Sequence, residues 1–91
     1  KRLSLETGIP LVATNDVHYI NREDSLLQDV VTCIQTGKRL DDPDRLKFFG
    51  SEFYLKNAEE MAEAFADMPE ALKSTAEIAD KCNLSIDFGS I

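Results

Sequence analysis

Leu11-Val12-Ala13-Thr14 is a short continuous apolar run set between Gly8-Ile9-Pro10 and Asn15-Asp16. Such a run, bounded by turn residues, reads as a buried strand. Gly8 stands where a left-handed glycine stops a helix, so residues 1–7 read as the end of one. Helix, short turn and apolar strand is the rhythm of an α/β protein with a parallel sheet, and a parallel strand needs neighbours on both sides. No other stretch of the 91 residues offers a comparable neighbour. The chain also opens on Lys1-Arg2-Leu3, in what reads as a helix tail, so the expectation is a fragment of a longer protein. A strand cut off from its sheet exposes backbone groups and apolar surface, so the isolated chain is expected to self-associate or to rearrange its first twenty residues.

Beyond residue 20 the pattern turns helical. Asn21 is placed to cap a helix with Asp24 at the third position, and Leu27, Val30, Val31 and Ile34 recur at helical spacing before Gly37. This predicts an amphipathic helix over 22–36. Residues 38–50 carry Asp41-Asp42-Pro43-Asp44 and read as a turn-rich connection. Phe53-Tyr54-Leu55 reads as a small strand or a packed extended segment. Asn57 and Glu60 form a capping pattern ahead of Met61, Ala62 and Phe65, and Pro69 suits the first position of a further helix. Leu72, Thr75, Ala76, Ala79 and Cys82 are spaced to face a core, with Asn83 at the C-cap. The fold class is therefore α/β passing to mostly α, with three or so amphipathic helices after the first twenty residues.

Composition narrows the function classes. Seventeen acidic against ten basic residues give a net charge of −7, which disfavours unaided binding to nucleic acid. No apolar run approaches the ~20 residues of a membrane span, and no signal-peptide pattern opens the chain. Cys33 and Cys82 lack any CxxC spacing and fall on apolar stripes, so both read as small core residues in a reduced, cytoplasmic setting.

The densest cluster of ligand-type side chains is Asp16-Val17-His18. In an extended segment residues i and i+2 point to the same side, so Asp16 and His18 can converge on one cation. A carboxylate with an imidazole suits Zn²⁺, Mn²⁺ or Fe²⁺ better than Ca²⁺. The other reading is a loop histidine hydrogen-bonded to a nearby carboxylate, and spacing leaves both open. His18 is the only histidine, so any further histidine ligand lies outside these residues. The aspartates 41, 42 and 44 lack the glycine and distal glutamate of a calcium loop, and Lys38, Arg39, Arg45 and Lys47 read as a solvated loop interleaved with them.

The string Gly8-Ile9-Pro10-Leu11-Val12-Ala13-Thr14-Asn15-Asp16-Val17-His18-Tyr19 closely resembles the last metal-binding motif of a PHP (polymerase and histidinol phosphatase) domain. The form it resembles is that of the alpha-subunit family of bacterial replicative DNA polymerases. The likeness continues through Cys33-Ile34-Gln35-Thr36-Gly37-Lys38, Leu40-Asp41-Asp42-Pro43, Glu52-Phe53-Tyr54-Leu55-Lys56 and Pro69-Glu70-Ala71-Leu72 to Cys82-Asn83. The resemblance implies a distorted (β/α)₇ barrel holding up to three metals, with residues 1–20 its C-terminal end and 21–91 a helical link toward the polymerase core. It implies that Asp16 and His18 are metal ligands and that the fragment holds no catalytic residue of the polymerase. It implies a parent that extends DNA from deoxynucleoside triphosphates using Mg²⁺ in an acidic palm outside this chain. It also associates the PHP domain with 3′–5′ hydrolysis and with docking of a proofreading exonuclease subunit. The His-x-His motif that opens a PHP site is absent here. Two alternatives remain: a stand-alone, histidinol-phosphatase-like PHP phosphoesterase, which leaves the string from Leu40 to Asn83 without a reason, and a non-catalytic helical interaction module.

Overall fold

Helices form where the sequence supplies both a start and a stop. In the computed structural model, which describes residues 1–90, they are α1 (Arg2–Thr7), α2 (Ser25–Thr36), α3 (Ala58–Ala64) and α4 (Pro69–Asp80), with a 3₁₀ turn over Arg22–Asp24 leading into α2. The stop of α1 is Gly8 at φ 72°, whose N–H donates to the Ser4 carbonyl at 2.9 Å. Gly37 ends α2 in the same left-handed conformation, at φ 68°. Both positions place φ where a side chain is disfavoured. The expected cap at Asn21 forms, and the Asp24 carboxylate accepts from the Asn21 N–H at 3.1 Å. The turn that it caps is 3₁₀, so the α-helix proper begins at Ser25 rather than at residue 22. Pro69 occupies the first turn of α4, where its missing N–H costs nothing.

The chain divides into two compact units, one made of Lys1–Thr14 with the chain from Ala58 onward, the other of Asn15–Asn57. In the first, α3 packs on α4, and the segment before Asn15 runs beside α4. Ala13 donates its N–H to the Ala71 carbonyl at 3.0 Å, and these two small residues are among the most buried of the chain. Here the sequence reading needs correction. Leu11–Thr14 is not a strand, and the described residues contain no named strand at all. A strand is defined by its ladder, and this segment finds a helix backbone beside it instead of a sheet. Asn83 does not cap α4, which ends at Asp80; its amide donates to the Asp80 carbonyl at 3.1 Å.

In the second unit the only β-type pairing among the described residues is a parallel bridge between Tyr19 and Tyr54. His18 and Tyr19 donate to the Phe53 carbonyl at 2.8 and 3.2 Å, and Leu55 donates to Tyr19 and Ile20 at 3.0 and 3.2 Å. Phe53-Tyr54-Leu55 is thus a packed extended segment with one bridge. Tyr19 and Tyr54 are both buried, at 9% and 7% exposed.

The apolar stripes are legible but largely uncovered. Leu27, Val31 and Ile34 of α2 are 63%, 46% and 75% exposed, and Phe49 and Phe88 are 89% and 95% exposed. Cys33 is buried as expected, whereas Cys82 lies beyond the end of α4 and is exposed. No large side chain among the described residues is fully buried. Exposed apolar side chains in this number mark surface that covers something or is covered. The 91-residue chain is therefore expected to self-associate in sedimentation velocity as concentration rises. A single monomeric species across the micromolar range would contradict that expectation.

Candidate functional site

The Asp16–His18 pair sits in an irregular segment just ahead of the Tyr19 bridge. Asp16 adopts φ 53°, the left-handed region that aspartate tolerates better than most residues. Its carboxylate meets the ring two residues on. His18 Nε2 and Asp16 Oδ1 lie 3.1 Å apart. The ring is about one-third exposed and the carboxylate mostly exposed.

The imidazole is held against aromatic rings. Its centroid is 4.4 Å from that of Phe48, tilted by 38°, and 5.9 Å from that of Phe53 in an edge-on arrangement. Phe48 and Phe53 also meet, at 5.2 Å. The backbone on either side of the turn is tied down. Ahead of it, the Asn15 amide donates to the Tyr54 carbonyl at 2.7 Å, while its oxygen accepts from Lys56 Nζ at 3.1 Å. Behind it, the His18 N–H is bonded to Phe53.

Around Tyr54 lies a polar network. Arg22 bonds Glu52 at 2.5 Å and the Tyr54 hydroxyl at 3.0 Å. Lys56 donates to the Glu52 carbonyl oxygen at 2.5 Å and pairs with its carboxylate at 3.2 Å. Both cationic heads lie over the Tyr54 ring, 4.7 Å from its centroid for Arg22 and 4.2 Å for Lys56. A tyrosine face attracts cations through its quadrupole, and the ring shields the lysine, whose side chain is 7% exposed. Hydrogen bonds from Arg22 and then Lys56 hold the Glu52 carboxyl below its usual range.

A second ion pair orders the loop after α2. Arg45 grips Asp29 through both terminal nitrogens, and its Nε donates to the Leu40 carbonyl at 3.1 Å. These side chains are 9% and 15% exposed, so Arg45 is not the solvated loop residue that the sequence suggests. Its hydrogen bonds to Asp29 hold that carboxyl below its usual range. The Asp41-Asp42-Pro43-Asp44 stretch is a turn as expected, with Asp42 accepting from the Arg39 N–H at 2.7 Å.

Asp16 and His18 are the sequence-predicted site residues that the structure brings together. Two donors on one cation at about 2.1 Å stand roughly 3.0 Å apart in cis-octahedral geometry and roughly 3.4 Å apart in tetrahedral geometry. The observed 3.1 Å fits two corners of such a sphere, and it equally fits a hydrogen bond. No group of three or more potential ligands occurs among the described residues. Asn15, Phe48, Phe53 and Lys56, which surround the pair, were not legible as site residues. Asn15, Phe53 and Lys56 fall in the strings that carry the family resemblance, which gave them no role at the site.

The geometry thus defines a two-donor turn carried by a small, mostly helical chain. No protein-family model matches the chain. It is 55% identical over 87 residues to DNA polymerase III subunit alpha of Helicobacter pylori, covering 96% of this chain and 7% of that protein. It is 49% identical over 89 residues to the same subunit of Campylobacter jejuni, and 52% identical over 82 residues to that of Borreliella burgdorferi, again over 7% of each protein. These matches cover 98% and 90% of this chain. Over nearly its whole length the chain is homologous to one segment of DNA polymerase III alpha subunits. It spans about 7% of the length of the curated relatives it matches.

Linkage gives the Asp29 and Glu52 carboxylates a pH signature. A carboxyl held below its unfolded value stabilises the fold at neutral pH, and that contribution is lost as pH falls below the ordinary value of about 4. Carbon-detected NMR titration is expected to find Asp29 and Glu52 still ionised where free carboxylates are half protonated. Arg45→Met should return Asp29 toward the ordinary value and leave Glu52 unmoved. Equal titration of Asp29 with and without Arg45 would refute the pairing.

Proposed function

We propose that the chain is a segment of a DNA polymerase III alpha subunit, a DNA-directed DNA polymerase of bacterial chromosome replication, and that its Asp16–His18 turn contributes two ligands to a divalent-metal site of the PHP type. The carrying observation is the 3.1 Å approach of His18 Nε2 to Asp16 Oδ1 in a chain homologous to that subunit. Residues 1–20 are then the end of a PHP barrel and 21–91 the link toward the polymerase core. The parent acts in the cytoplasm on DNA and deoxynucleoside triphosphates, with Mg²⁺ held by residues outside this chain. Among the described residues no helix is long and apolar enough to cross a membrane.

Asp16 and His18 would hold a divalent cation, Zn²⁺, Mn²⁺ or Fe²⁺ by their donor set, which would supply Lewis-acid chemistry toward a phosphodiester and acidify a water. This chain's own part is to present a carboxylate oxygen and an imidazole nitrogen at ligand spacing, the imidazole backed by Phe48 and Phe53. Two ligands hold a catalytic metal poorly, so the remaining donors come from elsewhere in the parent, and the segment alone is inactive. Docking of a proofreading exonuclease subunit on the same domain belongs to this reading. So does the uncovered apolar surface, which the rest of the parent would cover. A stand-alone phosphoesterase is less well supported, since the homology extends from the Asp16–His18 turn through the helices to the end of α4.

The test is metal content of the full-length subunit carrying this segment. Zn²⁺ or Mn²⁺ stoichiometry by plasma mass spectrometry should fall in Asp16→Asn, which keeps the left-handed turn residue while removing the anionic ligand, with DNA synthesis retained. Unchanged metal content would overturn the ligand assignment.

A further inference from the structure

We infer that Asn15 and Lys56 are positioning residues for the Asp16–His18 pair, clamping the left-handed turn to the 53–56 segment so that the two donors stand at ligand spacing before any cation arrives. The inference rests on the metal-site reading above and deepens it. Its basis is a lysine placed where a lysine is rarely found. Lys56 is 7% exposed in its side chain, although its ordinary position is in solvent. Burying an ammonium group requires that its donors be satisfied, and the contacts of Lys56 do so. Its Nζ donates to Asn15 Oδ1 at 3.1 Å, to the Glu52 carbonyl at 2.5 Å and to the Glu52 carboxylate at 3.2 Å, and it lies over the Tyr54 ring.

Asn15 carries that order to the turn. It is the residue before Asp16, and both ends of its amide are engaged, the nitrogen on the Tyr54 carbonyl and the oxygen on Lys56. Asp16 follows at φ 53°, a conformation that a free loop would sample only part of the time. With His18 N–H fixed on the Phe53 carbonyl, the turn is anchored on both flanks to one segment. Partners of this kind orient metal ligands, and their loss commonly costs 10- to 100-fold in metal affinity.

The experiment uses the full-length subunit carrying this segment, stripped of metal and titrated with Co²⁺, whose visible absorption reports ligand geometry. Wild type should bind with a defined spectrum, and Asp16→Asn should abolish that binding. Lys56→Met should weaken Co²⁺ binding about 10- to 100-fold and alter the absorption envelope in a protein that still folds cooperatively. Lys56→Arg should restore part of the affinity. Wild-type affinity and spectrum in Lys56→Met would overturn the positioning role while leaving the ligand assignment intact. Co²⁺ binding retained in Asp16→Asn would instead overturn the underlying metal reading. If Lys56→Met fails to fold, Asn15→Ala decides by the same titration: weakened binding in a folded protein supports the clamp, and unchanged binding overturns it.

Discussion

The parallel pairing of residues 18–20 with 53–55 is the constraint on which the second unit depends. Four backbone hydrogen bonds cross it, at 2.8 to 3.2 Å, and they join stretches of chain more than thirty residues apart. Closing so long a loop costs conformational entropy that a single bridge does not offset alone. The burial of Tyr19 and Tyr54, the aromatic contacts of His18 and the Arg22–Glu52–Lys56 network supply the rest. Polar groups in that network strengthen one another in partial shelter from water. The Asp16–His18 turn is a consequence of this closure, since each of its flanks is bonded to the returning segment.

A second theme is surface that these residues do not cover. The stripe of α2 has the right period, yet Leu27 and Ile34 stand mostly in solvent. Helical stability in proteins comes largely from packing an amphipathic face, so a stripe without a partner is a stripe that belongs against something else. The same shortage explains why Leu11–Thr14 forms no strand: its best available partner is the Ala71 carbonyl of α4. Both observations agree with a chain that corresponds to 7% of the length of its relatives.

Legibility in the sequence followed the range of the interaction. Local signals were read well: Gly8 and Gly37 as left-handed stops, the Asn21–Asp24 box, Pro69 opening α4, and the turn at Asp41–Asp44. Interactions across distant positions were not. Arg45 reads as one more loop cation because Asp29 lies sixteen residues away on another element. Lys56 and Asn15 are separated by 41 positions, and nothing in either residue's neighbours announces the bond. Cys82 was misplaced because the helical period was carried past the end of α4 at Asp80. The approach of Asp16 and His18 was anticipated from their spacing, whereas the left-handed φ of 53° at Asp16 was not. The homology, by contrast, was legible from the ordered string of residues that begins at Gly8.

The central claim is that a long-range parallel pairing holds the Asp16–His18 turn. Amide hydrogen exchange of the 91-residue chain, resolved by residue, tests it directly. The account predicts that the N–H groups of His18, Tyr19 and Leu55 exchange as slowly as those in the middle of α2, and that Glu52→Ala with Tyr54→Ala releases all three together. Exchange of these three amides at free-chain rates, with α2 still protected, would contradict it.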